Sequence, residues 1–380
     1  MSTTVKTYRD IYLDTVLFRN PERIPFQPGG GRESTLRAWR QQGLPEDKDP
    51  YTAVLEILGI TPLPGGHVGI PVDFRMVPLF EEKVLKHEDG HYIVQDWMGA
   101  ITEISDEFDY TYIRNARDFV TRKWHKFPVE TRADWEEMKR RYAVDAPGRF
   151  PADFAEQAKG INARRVDSVS TIHVNGPFWQ LREWCGFENL CMLFVEDPDF
   201  VAEMCEFWTE FVAGCIERIT AHVPIDRFGI SEDMAYKAHS MISPAMSREF
   251  LQPAYRRWTK MIYQTGGSVI DMDSDGFIGE LIPIWIESDI NMCDPIEVAA
   301  YNDINAFRKQ FGKKIAYSGG VDKRAIAKGG EILTAELKRL EPVIKDGGFI
   351  PSCDHGVPPD ISWPNFVEYS RQLARLTGWL

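Results

Sequence analysis

The feature that most restricts the fold is an alternation of short β-rich runs with long helical patterns, which continues from about residue 160 to the end of the chain. Such alternation is typical of parallel strands connected by helices. The runs predicted as strands are 68–74, 92–97, 166–174, 226–231, 267–273, 290–294, 314–319 and 348–352. Eight parallel strands would close, so the sequence predicts an α/β protein built as a (β/α)8 TIM barrel.

Helix boundaries support this order of elements. Asp197 precedes Pro198 and Ser243 precedes Pro244, so each pair places an N-cap residue before a proline at the first helical position. A helical pattern over 362–379 would complete the outer ring of helices.

The N-terminal part of the chain differs in composition from the rest. Gly and Pro are frequent between residues 20 and 66, and no strong periodic pattern is present there. We therefore predict that residues 1–66 form an extension that wraps a barrel spanning residues 67–380.

Charge and hydropathy exclude several classes of function. The 380 residues include 44 Lys and Arg against 57 Asp and Glu, a net charge of -13, and basic residues do not cluster, which is unsuited to nucleic acid. No apolar stretch approaches the ~18 to 20 residues that span a bilayer, and the start MSTTVKTYRD lacks the apolar core of a signal peptide. We expect a cytoplasmic protein that binds neither nucleic acid nor membrane.

Acidic residues follow several of the predicted strands. The stretch VIDMDSDGF (269–277) places Asp271, Asp273 and Asp275 at alternate positions, which share one face of an extended chain. Strand ends form the active site of a βα barrel, so Asp273 and Asp275 are predicted to point into a shared mouth. The other groups predicted to converge there are Glu232, Asp233, Cys353 and His355.

Two uses of this cluster are open. A carboxyl group among other carboxyl groups has a raised pKa, so Asp273, Asp275 or Glu232 could hold a proton near neutral pH and donate it. His355 is a second candidate acid. The alternative is a metal ion, with zinc ligands drawn from Asp273, Asp275, Cys353 and His355. Asp-x-Asp-Gly is also a common turn composition, which is a third interpretation.

Aromatic residues follow the predicted strand at 166–174. Phe178, Trp179 and Trp184 are predicted to form an apolar slot for substrate, with Tyr236 opposite. They could instead be ordinary core residues in a chain that is 12% aromatic. The other predicted substrate contacts are Asp73, Asp96, Arg182 and Asp233.

Several short motifs occur in order along the chain. They are GPFWQLREWCG (176–186), SEDMAYKAHSMISP (231–244), DSDG (273–276), SGGVDK (318–323) and DHGVPPDISWPNF (354–366). In order and spacing they resemble the uroporphyrinogen decarboxylase superfamily, and the N-terminal LRAWRQQGLP (36–45) is similar to its corrinoid-dependent O-demethylase members. The resemblance covers most of the chain and implies a barrel enzyme.

Departures from the superfamily pattern are informative. Its thiol-activating methyltransferases bind zinc through a His-x-Cys pair where this chain has DSDG (273–276), and His355 stands where their third ligand, a cysteine, would be. Its decarboxylases bind substrate carboxylates through two arginines in an N-terminal segment, and Trp184 takes the place of their active-site tyrosine. That arginine segment has only loose substitutes here, namely Arg37, Arg40 and Arg75.

The resemblance implies a methyltransferase that moves a methyl group from a small methoxylated, aromatic donor to a corrinoid (cobalamin). The chain lacks a DxHxxG corrinoid-binding signature, so the corrinoid would come in trans on a partner protein or as free cofactor, with Arg182 helping to dock it. The alternative is cofactor-free decarboxylation of a uroporphyrinogen-like tetrapyrrole, although an acidic mouth disfavours a substrate with many carboxylates. The oligomeric state is left open, a homodimer included.

Overall fold

The structure, a computed structural model, describes residues 6–111, 114 and 120–380. The strands are β1 (His67–Gly69), β2 (Lys83–Glu88), β3 (His91–Gln95), β4 (Ile101–Ser105), β5 (Lys123–Lys126), β6 (Val169–Asn175), β7 (Arg227–Ser231), β8 (Val269–Asp273), β9 (Met292–Asp294), β10 (Ala316–Val321) and β11 (Phe349–Cys353). The helices are α1 (Tyr8–Val16), α2 (Glu33–Gln41), α3 (Pro50–Leu58), α4 (Arg132–Lys139), α5 (Phe154–Arg164), α6 (Pro177–Cys185), α7 (Phe187–Glu196), α8 (Pro198–Thr220), α9 (Pro244–Met246), α10 (Gln252–Gln264), α11 (Ile282–Ile286), α12 (Ile304–Phe311), α13 (Lys323–Lys328), α14 (Gly330–Asp346) and α15 (Trp363–Leu376). No helix in this described part of the chain is long and apolar enough to cross a bilayer.

A curled parallel sheet forms the centre of the molecule, with strand order β1-β6-β7-β8-β9-β10-β11. The six strands predicted after residue 160 are confirmed as β6 to β11, and β1 begins within one residue of the run predicted at 68–74. All six residues of β10 are buried, as expected for a parallel strand covered by helices on one side and the sheet interior on the other. The carboxyl ends of these strands therefore lie along one rim.

The predicted strand at 92–97 does not belong to the parallel sheet, so that prediction is wrong. The run 92–97 overlaps β3, which pairs antiparallel with β2 and β4 in a separate four-stranded sheet, β2 to β5. A short apolar run has the same pattern in a buried parallel strand and in a half-covered hairpin, so its partners could not be predicted. The described residues thus form a seven-stranded parallel sheet and an inserted antiparallel sheet, and a complete (β/α)8 ring is not seen.

The N-terminal extension contacts the last strand of the parallel sheet. The backbone N–H of Cys353 donates to Pro28 O at 3.5 Å, and that of Val357 donates to Gly30 O at 2.9 Å. Gly29 has a φ of +107°, and a Cβ there would lie 3.1 Å from the Cβ of Cys353. A glycine is needed for this close approach, which places residues of the extension at the rim where the strands end.

The predicted helix starts are confirmed. Asp197 accepts a hydrogen bond from the backbone of Phe200 at 3.2 Å, and Ser243 accepts one from Met246 at 3.1 Å, each just before a proline at the first helical position. These side chains satisfy backbone donors that have no partner within the helix. After α9, a π-helical stretch over Ser247–Leu251 continues directly into α10.

A buried carboxylate joins the N-terminal helix to the sheet. Asp226 is fully buried, and it accepts hydrogen bonds from Arg9 at 2.8 Å, Arg165 at 2.7 Å and the backbone of Ser170 at 3.1 Å. Burial alone would raise the pKa of Asp226, but the bonds from Arg165 and Arg9 outweigh it and hold the pKa well below its ordinary value. The native state therefore favours the ionised carboxylate.

We expect Asp226→Asn to lower the free energy of unfolding by about 2–3 kcal/mol at neutral pH, since two arginines lose a charged partner. Because the folded pKa is lowered, the native contribution is complete above the ordinary carboxyl pKa near ~4 and is lost as pH falls below it. Urea titrations between pH 7 and 3 should show a shallower acid decline in the variant. If the free energy of unfolding falls equally with pH in the variant and in the unmodified protein, this role for Asp226 is contradicted.

Candidate active site

A cavity of about 430 Å³ opens at the carboxyl ends of β8 to β11; we call it the acidic cavity. Its lining residues are Gly29, Gly30, Asp273, Asp275, Asp294, Pro295, Ser318, Gly319, Ser352, Cys353, His355 and Gly356. Asp273, Asp275 and His355, which the sequence analysis predicted to meet, are thus brought together from two distant stretches of the chain. Their catalytic roles stay predictions.

Strand register sets up the acidic wall of this cavity. Ser231, Asp273 and Asp294 are register partners on β7, β8 and β9, so their side chains lie next to one another on one face. The hydroxyl of Ser231 donates to Asp273 Oδ2 at 2.6 Å. Asp294 Oδ1 is buried and makes no hydrogen bond within the described part of the chain. Two carboxyl groups therefore stand side by side with little compensation.

The two carboxyl groups disfavour each other's ionisation. Burial raises the pKa of Asp273 to about 6, the Ser231 hydroxyl opposes the rise, and the charges of Asp275 and Asp271 add to it. Burial also raises the pKa of Asp294 well above its ordinary value, helped by Asp271 and Asp273. The pair should titrate as a unit and share a proton near neutral pH.

The imidazole of His355 faces the pair across the mouth. Its Nδ1 accepts from the backbone N–H of Gly356 at 2.7 Å, which assigns the neutral ring's proton to Nε2, 3.2 Å from Asp275 Oδ2. This hydrogen bond to Asp275 is the main reason why the pKa of His355 is raised. Arg32, from the N-terminal extension, places Nη2 3.2 Å from Nδ1. Asp275 therefore orients the imidazole rather than acting alone.

Glu232 does not join the acidic cavity. It is completely buried behind the sheet, where its carboxylate accepts from the hydroxyl of Tyr255 and from the backbone of Trp179 at 3.0 Å, near the start of α6. Burial raises its pKa to about 7. Successive residues of a strand point to opposite faces, so with Ser231 turned toward the site Glu232 is turned toward the helices.

The predicted aromatic slot is not assembled from the predicted residues. Phe178 and Trp184 are both 0% exposed, on the face of α6 that packs into the core. Trp179 is partly buried and donates from Nε1 to Glu183 Oε1 at 2.8 Å. Tyr236 lies on the surface with 56% of its area exposed. Phe178 and Trp184 are therefore ordinary core residues, the second of the two interpretations. They share the buried face of α6, and a helix that packs this face into the core cannot also turn it toward the mouth.

The other predicted substrate contacts are engaged with neighbours outside the acidic cavity. Arg182 donates to Asp233 Oδ2 at 2.9 Å, and its guanidinium lies 4.9 Å from the ring centre of Trp179. Asp73 accepts two bonds from the guanidinium of Arg75, both at 2.9 Å. Asp96 accepts from two backbone N–H groups in the turn between β3 and β4.

A second cavity, of about 310 Å³, lies at the carboxyl end of β6; we call it the aromatic cavity. Its lining residues are Val72, Phe74, Arg75, Met76, Trp97, Tyr142, His173, Val174, Asn175, Gln180, Glu183 and Trp208. His173 Nε2 lies 2.5 Å from the Ser231 hydroxyl, which in turn bonds to Asp273. One serine therefore connects the walls of the two cavities.

Sequence reasoning missed several of these groups for different reasons. Asp294 ends the predicted strand 290–294, so this acidic strand end was visible in the sequence, but Asp294 was not included among the predicted site residues. Ser231 likewise ends a predicted strand. His173 sits two residues before the end of β6, and an alternation argument would have placed it on the interior face. Arg32 carries no local signal, because only the path of the extension brings it to His355.

The predicted zinc ligands do not form a metal site in this structure. Over the described ranges, no group of three or more His, Cys, Asp or Glu side chains is arranged to hold a metal ion. Cys353 is buried, and burial raises its pKa to about 12. Zinc stays a prediction, and no step below depends on it.

Comparison with known proteins gives two kinds of result. A family profile described as "Uroporphyrinogen decarboxylase (URO-D)" matches residues 128–369, more than half of the chain. A methyltransferase from Methanosarcina mazei has a similar structure, with a TM-score of 0.59 and 13% identity over 97% of this chain and 98% of that one. A B12-independent methionine synthase from Shewanella sp. W3-18-1 reaches a TM-score of only 0.39 at 12% identity, over 58% of this chain and 66% of that one. The search of curated proteins finds no significant match.

Proposed function

Because the chain belongs to the uroporphyrinogen decarboxylase (URO-D) family, we propose that it is an enzyme whose active site is the acidic cavity. The proposed reaction transfers a methyl group from a small methoxylated, aromatic donor to a corrinoid, presented by a partner protein or as free cofactor. One observation carries the proposal: Asp273 and Asp294 lie side by side in the cavity, with pKa values raised above that of an ordinary carboxyl group, to about 6 for Asp273, so that the pair holds a proton at higher pH than an isolated aspartate would.

Cleavage of an aryl methyl ether leaves a negative charge on the ring oxygen, which makes a proton donor valuable. A reduced corrinoid, when bound at the mouth, would supply the nucleophile for the methyl group. Protonated Asp273 donates its proton to the ether oxygen as the oxygen–methyl bond breaks, so that the ring leaves as a neutral phenol. Ser231 holds Asp273 in place, and Asp294 holds the carboxyl pair short of full ionisation before the step.

The rim outside the cavity suits docking of a corrinoid protein. Tyr236 is 56% exposed and Tyr301 is 67% exposed, on the loops that follow β7 and β9. Exposed aromatic side chains are favoured in protein interfaces. Arg182 lies beside the same loop as Tyr236, where its pairing with Asp233 at 2.9 Å matches its charge and fixes the loop. We expect the partner to bind over these loops.

Decarboxylation of a tetrapyrrole is the second candidate, and family membership is the observation that favours it. The acidic cavity argues against it, because three aspartates in a volume of about 430 Å³ would repel a substrate with many carboxylates.

The experiment mixes purified protein with reduced cobalamin and a panel of methoxyarenes, and follows the absorbance of the methylated corrinoid. Methylation that requires both the protein and a methoxyarene supports the proposal. In parallel, the protein is incubated with uroporphyrinogen and carbon dioxide is measured. Carbon dioxide release without methyl transfer would replace the methyltransferase by the decarboxylase.

We expect the rate of methyl transfer to fall as pH rises above about 6, since Asp273 then loses the proton it donates. Ser231 lowers the pKa of Asp273, so Ser231→Ala should move this decline to higher pH. The measurement is kcat against pH for both proteins. A decline at the same pH in both would contradict Asp273 as the group that titrates.

A further inference from the structure

The aromatic cavity is built to receive a flat ring. We propose that it binds the uncharged aromatic ring of a small molecule; if the proposed function is right, on which this part rests, that molecule is the methyl donor. The ring site predicted at Phe178 and Trp184 would then be replaced by a neighbouring one, lined by the other side chains of α6, by the end of β6 and by the inserted antiparallel sheet.

Aromatic side chains form much of the wall, and two of them, Trp208 and Tyr142, are held in place by their own polar atoms. Trp208 donates from Nε1 to Asn175 O at 2.9 Å, and the hydroxyl of Tyr142 accepts from Trp184 at 3.0 Å. Trp97 lies in the turn between β3 and β4, and Phe74 follows β1. Rings prefer offset or edge-to-face contacts with other rings, which such walls supply. A cavity of about 310 Å³ is at the small end of ligand sites and suits a single ring.

The polar groups of this cavity favour an uncharged ligand. Arg75 is occupied by both oxygens of Asp73, so its charge is already matched. Glu183 accepts from Trp179 and from Asn175 at 3.2 Å, and an acid in the wall disfavours a carboxylate ligand. Asn175 Nδ2 also donates to Gln180 Oε1 at 3.1 Å, and Gln180 Nε2 donates to the Tyr142 hydroxyl at 3.4 Å, so a hydroxyl or ether substituent would join a network of uncharged amides that is already formed.

A short chain of hydrogen bonds joins the wall of the aromatic cavity to the wall of the acidic cavity. His173 lines the aromatic cavity, Asp273 lines the acidic cavity, and Ser231 bonds to both. Gly229 makes room for the imidazole, since a Cβ there would lie 2.4 Å from His173 Nδ1. A ring in the aromatic cavity would therefore lie on one side of a wall whose Ser231 hydroxyl contacts Asp273 on the other side.

Ligand binding is measured by isothermal titration calorimetry on the full-length protein at pH 7, without corrinoid. The probes are methoxybenzene and 4-methoxybenzoate, which share the ring and differ in charge. We expect the neutral probe to bind at least about tenfold more tightly than the benzoate. Equal or tighter binding of the benzoate would overturn the charge argument.

Substitutions in the lining test whether methoxybenzene binds in the aromatic cavity. Trp97→Ala removes a wall, and Val72→Phe fills the cavity from the other side; each should weaken binding about tenfold or more. Trp124→Ala, on β5 of the same inserted sheet and away from the cavity lining, is the matched control and should bind like the unmodified protein. Asp360→Asn, on the exposed turn before α15, should also leave binding unchanged.

The outcomes separate this inference from the proposed function. Loss of binding in both cavity variants, with the two controls unaffected, supports the ring site even if no methyl transfer is observed. Methyl transfer with the same KM for methoxybenzene in Trp97→Ala and Val72→Phe as in the unmodified protein would overturn the ring site while leaving the methyltransferase intact.

Discussion

Asp273→Asn is expected to reduce the kcat of methyl transfer by about 10²- to 10⁴-fold, the range typical of losing a general acid. The amide is nearly the same size as the carboxyl and still accepts the hydrogen bond from Ser231, so the cavity should keep its shape. The amide cannot hold or release the shared proton, and the leaving phenolate would depart unprotonated. The effect should appear in kcat rather than in KM, because the proton is transferred in the chemical step.

The measurement is single-turnover formation of methylated corrinoid at pH 6, with saturating methoxyarene. Asp360→Asn, an aspartate on the exposed turn before α15, is the matched control and should retain full activity. Urea titration should show that the Asp273 variant is folded. A folded Asp273→Asn protein with unchanged kcat would remove Asp273 from the mechanism.

The largest effect on stability is expected for Arg227→Met. Arg227 on β7 donates from Nε to Asp271 Oδ2 at 3.0 Å, and the Asp271 side chain is only 1% exposed. Asp271 Oδ1 already has no hydrogen-bond partner in the described ranges, so loss of the arginine would leave a buried carboxylate without compensation. We expect the free energy of unfolding to fall by about 3–5 kcal/mol, as measured by urea titration at pH 7.

The matched control is the double variant Arg227→Met, Asp271→Leu, which replaces both charges by apolar groups. Such replacements are often neutral, so the double variant should recover most of the stability that the single variant loses. If the double variant is as unstable as the single one, the loss comes from packing around Arg227 rather than from an unpaired charge.

The stretch VIDMDSDGF shows how far local pattern carries. Alternation applies to Asp271 and Asp273, which both lie on β8, whereas β8 ends at Asp273 and Asp275 lies in the loop that follows. It did not separate their surroundings: Asp271 lies deeper in the sheet against Arg227, Asp273 lies beside Asp294, and Asp275 lies against His355. Those three partners come from three other strands or loops, which no local pattern encodes.

The predicted slot and Glu232 show where local pattern misleads. Phe178, Trp184 and Glu232 all follow strand ends, as expected of active-site residues, but each faces the helices. Which side of α6 faces the mouth depends on how this helix packs, and that packing includes contacts between distant segments such as the bond from the backbone of Trp179 to Glu232.

By itself, the sequence determined the order of strands and helices after residue 160, the helix starts at Asp197 and Ser243, and the acidic ends of β8 and β9. These features depend on hydrophobic periodicity, helix capping and strand alternation, which act between residues a few positions apart. Only the tertiary structure decided that 92–97 belongs to an inserted antiparallel sheet, that Arg32 reaches His355, and that two cavities meet at Ser231. These features depend on pairing and packing between segments tens to hundreds of residues apart. Many such arrangements are compatible with the same local sequence pattern, and the folded protein adopts the one in which these segments bury their apolar surfaces together.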